Sequence, residues 1–235
     1  YQRVQQVDAD IWILTETNSG LSPGDKFDGC ASELIETTHS PGECRTAIWT
    51  RFPVISQIET FDVKTAVCLE VESPKGPMLV YGTIIPYGGA GTKYGYWFNG
   101  QRRTDAKSWQ LHYESIEVHR SEWVKLRARF PDHLLCIAGD FNQSRDGRRW
   151  GKNKRQWYGT NKGRQLLAEA LAECDVRCMT ETDFVEKGQL HSKSSVDHIC
   201  MNSQLFPSTE SGAWEAGKIG DKRLSDHNGV LLRVD

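Results

Sequence analysis

Leu134-Leu135-Cys136-Ile137-Ala138-Gly139-Asp140-Phe141-Asn142 is the stretch on which the fold class turns. An unbroken apolar run ends at a glycine and then presents a carboxylate and a carboxamide. Apolar runs this short, with polar residues at their ends, read as strands buried on both faces. In an extended chain residues i and i+2 point the same way, so Asp140 and Asn142 can address one target. The same Asp-x-Asn also fits an Asx-turn. Polar residues gathered at the end of a buried strand mark the place where a sheet scaffold presents a site.

On either side the pattern repeats. Runs rich in Ile, Val and aromatics read as strands at residues 11–15, 45–51, 66–72, 78–85, 133–138, 196–201 and 229–234. Pro53, Pro86 and Ser73-Pro74-Lys75-Gly76-Pro77 separate them. Two segments have helical period instead. In residues 105–130, Trp109, Tyr113, Ile116, His119, Trp123, Leu126 and Phe130 recur three or four apart. In residues 161–174, Leu166, Leu167, Ala170, Leu171 and Cys174 do the same, with Thr160 or Asn161 as cap. Strands outnumber helices and each long helix lies between strands, so the class is α/β with a substantial sheet core.

Composition bounds the rest. The 235 residues fit one domain, without internal repeat or low-complexity linker. At 38% hydrophobic and 26% charged, the chain is neither disordered nor a coiled coil. No apolar run approaches the roughly 18 residues of a membrane helix. Seven cysteines, an odd count without a Cys-x-x-Cys pair, argue against a disulfide framework and a zinc site. A reduced, cytoplasmic compartment is the expectation. The formal net charge is −2, unevenly spread. Residues 145–164 hold 8 of the 29 Lys and Arg and 1 of the 31 Asp and Glu, a local charge of +7 against −9 elsewhere.

Three further clusters lie beside strands. Ile11-Trp12-Ile13-Leu14-Thr15-Glu16-Thr17 puts a carboxylate directly after an apolar run. In Ser194-Ser195-Val196-Asp197-His198-Ile199-Cys200, Asp197 and His198 are strand neighbours that face opposite ways, so they are not a dyad. His198 reads as a packed histidine on the far face. Leu224-Ser225-Asp226-His227-Asn228 places a carboxylate and an imidazole just before the last strand. No nucleophile elbow or oxyanion-hole glycine cluster supports a Ser–His–Asp triad there.

In this order, Glu after an early strand, Gly-Asp-Phe-Asn, Val-Asp-His-Ile and Ser-Asp-His resemble the endonuclease/exonuclease/phosphatase superfamily, which includes deoxyribonuclease I. Thr46-Ala47-Ile48-Trp49-Thr50-Arg51-Phe52-Pro53-Val54 is similar to the family's segment of aliphatic strand followed by Ser-Arg-aromatic-Pro. Residues 80–86 are similar to the strand that leads into its central loop. The resemblance covers nearly the whole chain. It implies a four-layer α/β/β/α sandwich, two mixed sheets packed face to face with outer helices. It also implies metal-assisted hydrolysis of a phosphate ester, usually with Mg²⁺ and with Mn²⁺ as a substitute. Carried over by motif, Glu16 ligates the metal and Asp226 helps directly or through water, hard carboxylate oxygens being what Mg²⁺ prefers. Asp140 orients and deprotonates the attacking water, and Asn142 holds a phosphate oxygen or that water. His227 donates to the phosphoryl group. Asp197 pairs with His227, favours its charged form and fixes its orientation.

The chain also departs from the family pattern. The family opens with a strand ending in an Asn near the metal; here residues 1–10 read as the segment after it. The expectation is one domain over residues 1–235 without that first strand. Pro86 is followed by Tyr87 and Gly88-Gly89 where the family has Pro-Asn or a His. Tyr87 either donates its hydroxyl to phosphate or packs. Arg145, Arg148, Arg149 and Trp150 of the basic segment suit phosphates and base stacking; a charge run is ordinarily a solvated loop, but this one directly follows Asp140, which favours substrate contact. Residues 88–103, with Tyr94, Tyr96, Trp97, Phe98, Arg102 and Arg103, offer a second rim whose aromatics either stack on a base or sugar or, the favoured reading, pin the loop down. The function expected is a divalent-metal-dependent phosphoesterase, a nuclease first, acting as a monomer on nucleic acid or another phosphate ester. A phosphatase or phosphodiesterase of small molecules or lipid head groups, and a catalytically dead phosphate-binding relative, are the alternatives.

Overall fold

In the computed structural model, residues 7–35, 41–146, 158–191, 193–219, 222–223 and 225–235 are described. β1 (Ile11–Asn18), β2 (Asp28–Ala31) and β3 (Glu43–Thr50) come first, followed by β4 (Val54–Ile58), β5 (Val67–Ser73) and β6 (Gly76–Ile84). β7 (Tyr96–Phe98) and β8 (Gln101–Arg103) form a small hairpin ahead of α1 (Gln110–Arg129). Then come β9 (Leu134–Asp140), α2 (Asn161–Glu173), β10 (Val176–Cys178) and β11 (Asp197–Asn202). A 3₁₀ turn, Ser203–Ser208, leads to β12 (Thr209–Trp214), β13 (Lys218–Ile219), β14 (Lys222–Arg223) and β15 (Gly229–Val234).

The decisive stretch is β9, in the middle of a six-stranded sheet of order β10-β11-β9-β6-β5-β4. β9 runs parallel to β6 and antiparallel to β11. A parallel neighbour needs a long crossover, and the segment containing α1 supplies it. β5 and β6 are joined by a tight turn at Pro74-Lys75, with Ser73 paired to Gly76 at φ 106°. Glycine takes that backbone without strain.

Alternation along the central strands builds two cores. Leu79, Tyr81, Leu135 and Ile137 face α1 and α2, meeting Ile116, Trp123, Leu126, Leu167 and Leu171. Val80, Met78, Cys136 and Ala138 face the other way, toward Ile48, Ile13 and Leu232 of the opposing strands. Sheet therefore lies on sheet, with helices outside, as the resemblance implied. Among the described residues both helices cover the same outer face. The opposing layer is in two antiparallel pieces, β1-β3-β2 and β12-β15. Between β1 and β15 lies a slot of about 670 Å³ with a floor of Met78, Leu134, Cys136, Ala138, Ile199 and Met201. Its polar end reaches Asp197, Ser225 and His227.

Each expected strand is present, the last at its expected bounds and the others with shifted ends. β1 runs on to Asn18, past residue 15. α1 begins at Gln110 rather than near 105, because Trp109 sits in the left-handed region at φ 64° without a side-chain cap. Thr160 caps α2 as expected, its hydroxyl accepting from Gly163 N at 2.9 Å. Among the described residues no helix is long and apolar enough to cross a membrane.

Candidate active site

The end of β9 and the start of β11 are cross-strand partners, Asp140 directly opposite Asp197. The loop before β15 then brings His227 onto Asp197, Nδ1 to Oδ2 at 2.8 Å. Three segments far apart in sequence thus meet at one strand end. Ligand atoms of Asp140, Asp197 and His227 all lie within 4.8 Å of one another. Asp197 is held by Ser195, whose hydroxyl accepts from Asp197 N at 3.2 Å and donates to its carbonyl at 3.0 Å.

Asp140 is 2% exposed, so its charge is costly. Burial, and next the charge of Asp197, push its carboxyl well above the usual range; Glu16 adds to this and His227 opposes it. Asn142 partly offsets the cost. Its backbone N–H donates to Asp140 Oδ1 at 2.8 Å, and its side-chain amide to Oδ2 at 2.6 Å. The same amide donates to Ile85 O at 3.0 Å. Both readings of Asp-x-Asn are therefore realised at once: the Asx-turn forms, with Asn142 at φ 46°, and the two side chains still meet. With both amide hydrogens engaged, Asn142 offers this site its carbonyl oxygen as an acceptor.

The hydrogen bond that His227 donates to Asp197 raises its imidazole to about 9, burial opposing and the charges of Asp197, Asp140 and Asp226 assisting. The ring is an imidazolium at neutral pH, with Nδ1–H on Asp197 and Nε2–H turned outward. Its Nε2 lies 3.9 Å from the exposed carboxylate of Asp226. Glu16 is also exposed, in β1 at φ 48°. Two carboxylates, Asp140 and Asp197, thus meet one imidazolium, while the exposed Glu16 and Asp226 stand outside that cluster. That donor set, hard oxygens with excess negative charge, fits a divalent cation.

His198, the far-face histidine, is buried as expected, its Nε2 on Gln143 O at 2.9 Å and its Nδ1 on Thr180 Oγ1 at 3.2 Å. Tyr87 is 41% exposed and packs its ring edge-on against Tyr96, with centroids 6.0 Å apart. Arg145 is where the expected substrate contact gives way. It is 5% exposed and donates to Glu181 at 2.8 Å, so it braces the loop from beneath. Arg148, Arg149 and Trp150 lie outside the described residues. Sequence reading places Tyr158 among the stacking aromatics of the basic segment and misses Arg45. The Tyr158 hydroxyl accepts from Gly88 N at 3.2 Å and its ring lies against Trp109, tying two loops together beside Asp140. Arg45 lies over the Tyr96 ring, 3.9 Å from its centroid. Arg45 carries no local sequence signal, because its contact joins residues distant along the chain.

No protein-family model matches this chain, and no curated protein is similar enough to match it. Solved structures do match. A 3′-5′ exonuclease, NExo, from Neisseria meningitidis superposes with a TM-score of 0.68 at 15% identity, covering 100% of this chain and 93% of that one. An AP endonuclease from Archaeoglobus fulgidus gives 0.65 at 13%, covering 100% and 92%. The 3′ phosphatase NExo from Neisseria, bound to product DNA hairpin, gives 0.65 at 12%, covering 100% and 93%. The fold is therefore the DNase I-like α/β sandwich of the endonuclease/exonuclease/phosphatase proteins.

Proposed function

We propose that this protein is a Mg²⁺-dependent phosphodiesterase, a nuclease, that hydrolyses phosphodiester bonds by attack of an activated water. The observation that carries this reading is the Asp140–Asp197–His227 cluster at the strand ends, with its 2.8 Å His227–Asp197 pair. The names of the matched structures, an exonuclease, an AP endonuclease and a 3′ phosphatase on DNA, support it.

On the resemblance, Glu16 and Asp226 would hold the cation, Asp226 directly or through water. When bound, the ion polarises the phosphoryl oxygen and stabilises the leaving oxygen. Asp140, raised by burial, is the stronger base for it and takes the proton of the attacking water at its carboxylate. The carbonyl oxygen of Asn142 accepts from that water and orients it. His227 donates through Nε2 to the charge that develops on the phosphoryl group, and Asp197 keeps it protonated and aimed.

We also propose, on the resemblance, that the slot between β1 and β15 takes one extended strand from outside the described residues. Two strand edges flank it and its floor is apolar, which is what a strand added between edges requires. With that strand supplied, the backbone amides of β1 and β15 slow in hydrogen exchange; unchanged rates count against it.

The test of activity is incubation with Mg²⁺ and plasmid, single-stranded DNA, RNA and a panel of phosphate monoesters, beside His227→Ala and an EDTA arm. Cleavage of nucleic acid that EDTA stops, and that His227→Ala lowers roughly 10²–10⁴-fold, is expected. Failure to turn over any substrate overturns the reading.

A further inference from the structure

Glu16 and Arg45 occupy facing positions on β1 and β3. The antiparallel register runs from Ile11 with Thr50 to Asn18 with Glu43, and the pair it omits is 16 with 45. Glu16 stands there at φ 48°, a backbone that breaks the ladder locally. Opposite charges directly across two strands usually pair. Among the described residues these two do not. The Arg45 guanidinium is drawn over the face of Tyr96 instead, 3.9 Å from the ring centroid.

Tyr96 ties that arginine to the acidic centre. Burial pushes its hydroxyl up to about 12; Arg45 pulls it down while Asp140 and Glu16 raise it further, so the ring lies within the field of both carboxylates. Its other edge meets Tyr87, which is 41% exposed. Arg45 is itself half-buried. The Arg45 guanidinium also gives a hydrogen bond to the Tyr96 hydroxyl, and of its five N–H donors the others remain for an incoming oxyanion, whose phosphate geometry its fork matches. The Glu16 residue across from it is exposed.

We propose that Arg45, braced on Tyr96, is a phosphate-binding residue that takes the non-bridging oxygens of a nucleic-acid phosphate on the β7 side of the acidic centre. The proposal rests on the nuclease reading for its substrate class. It adds a basic contact drawn from the body of the domain, separate from the basic segment at residues 145–164.

Binding of a fluorescent single-stranded DNA oligonucleotide, followed by anisotropy in the His227→Ala background, tests it without turnover. Arg45→Ala is expected to weaken Kd roughly 10- to 100-fold, as loss of a charge-assisted contact does. It should also reduce the slope of log Kd against log salt by about one. Arg45→Lys keeps the charge, so the salt slope stays while affinity falls in part. Tyr96→Ala, which removes the brace, weakens binding in the same direction. Thermal unfolding of each variant confirms that it is folded. An Arg45→Ala protein that is folded and binds with wild-type affinity and salt slope overturns the proposal while leaving the nuclease reading intact. A wild-type protein that cleaves nothing, yet loses DNA affinity with Arg45, overturns the nuclease reading and supports this one.

Discussion

At the scale of single residues the site works against the stability of the fold. Asp140 is a carboxylate 2% exposed, directly opposite Asp197. Burial and that like charge both disfavour its ionised form. Asp140→Asn removes the charge and keeps the shape. It should raise Tm by a few degrees, since about 1 kcal/mol corresponds to roughly 2–4 °C in a protein of this size. The same change should abolish cleavage, because an amide cannot take the proton of the attacking water. Calorimetry and a nicking assay check the two halves, and an unchanged or lower Tm would show that the charge is not a burden. Asn142 acts on the same carboxylate. Asn142→Ala deletes the donor to Ile85 O and Asp140 Oδ2 and should cost about 1–3 kcal/mol in urea unfolding. The pairing of Asp140 with Asn142 was legible in the sequence because both lie on one short stretch. Arg45 on Tyr96 was not, since nothing local marks two residues that a fold brings together across 51 positions.

Among the elements, β9 sets the geometry of the site, and Gly139 sets β9. Its φ is 136°, and a Cβ there would lie 2.0 Å from Thr83 O of the parallel neighbour β6. The clash is with backbone, so neither strand can relax around it without losing their pairing. Gly139→Ala should therefore destabilise by more than about 3 kcal/mol or leave the protein insoluble, a loss at the severe end for single substitutions. Circular dichroism and urea unfolding measure it; a variant of wild-type stability would mean β6 and β9 can separate at this point. Long elements with a strong period were readable: β9 from its apolar run, and α2 from its stripe and its Thr160 cap. Short ones were not. β2, β7, β8 and β10 span three or four residues each, too few to display a period of two. The start of α1 was misjudged because Trp109, a residue with apolar helical spacing, takes a left-handed backbone. Gly88 makes room for it: a Cβ there would lie 2.5 Å from the Trp109 ring.

For the whole molecule, the joint between the six-stranded sheet and its helices contains a polar network that ties stability to pH. The face-to-face layers were legible from the many short apolar runs, but the network was not, because His119 reads in sequence as one more member of the stripe of α1. In the structure His119 is wholly buried, its Nε2 accepting from Thr83 Oγ1 of β6 at 2.8 Å and its Nδ1–H donating to Ser115 O at 2.7 Å. Burial holds the ring down to about 4, where the ordinary value is 6.5. The sign follows from linkage. The unfolded chain takes up the proton near pH 6.5 and the folded protein only near pH 4, so the stabilisation from this histidine is complete above 6.5 and is lost as the pH falls between them. By pH 5 the loss is about 2 kcal/mol at 1.36 kcal/mol per pH unit. Asp140, raised, contributes with the opposite sign over part of this range, and His227, raised to about 9, does so from pH 6.5 upward, so the total pH dependence is a poor reporter. A difference between proteins isolates the one group. His119→Gln should be less stable than wild type at pH 7.5, since it loses buried packing and hydrogen bonds. By pH 5 that gap should narrow by about 2 kcal/mol, because glutamine has no proton to refuse. Urea unfolding of the two proteins at both pH values decides it, and a gap that stays constant would mean that the joint opens enough to solvate His119 in the folded state.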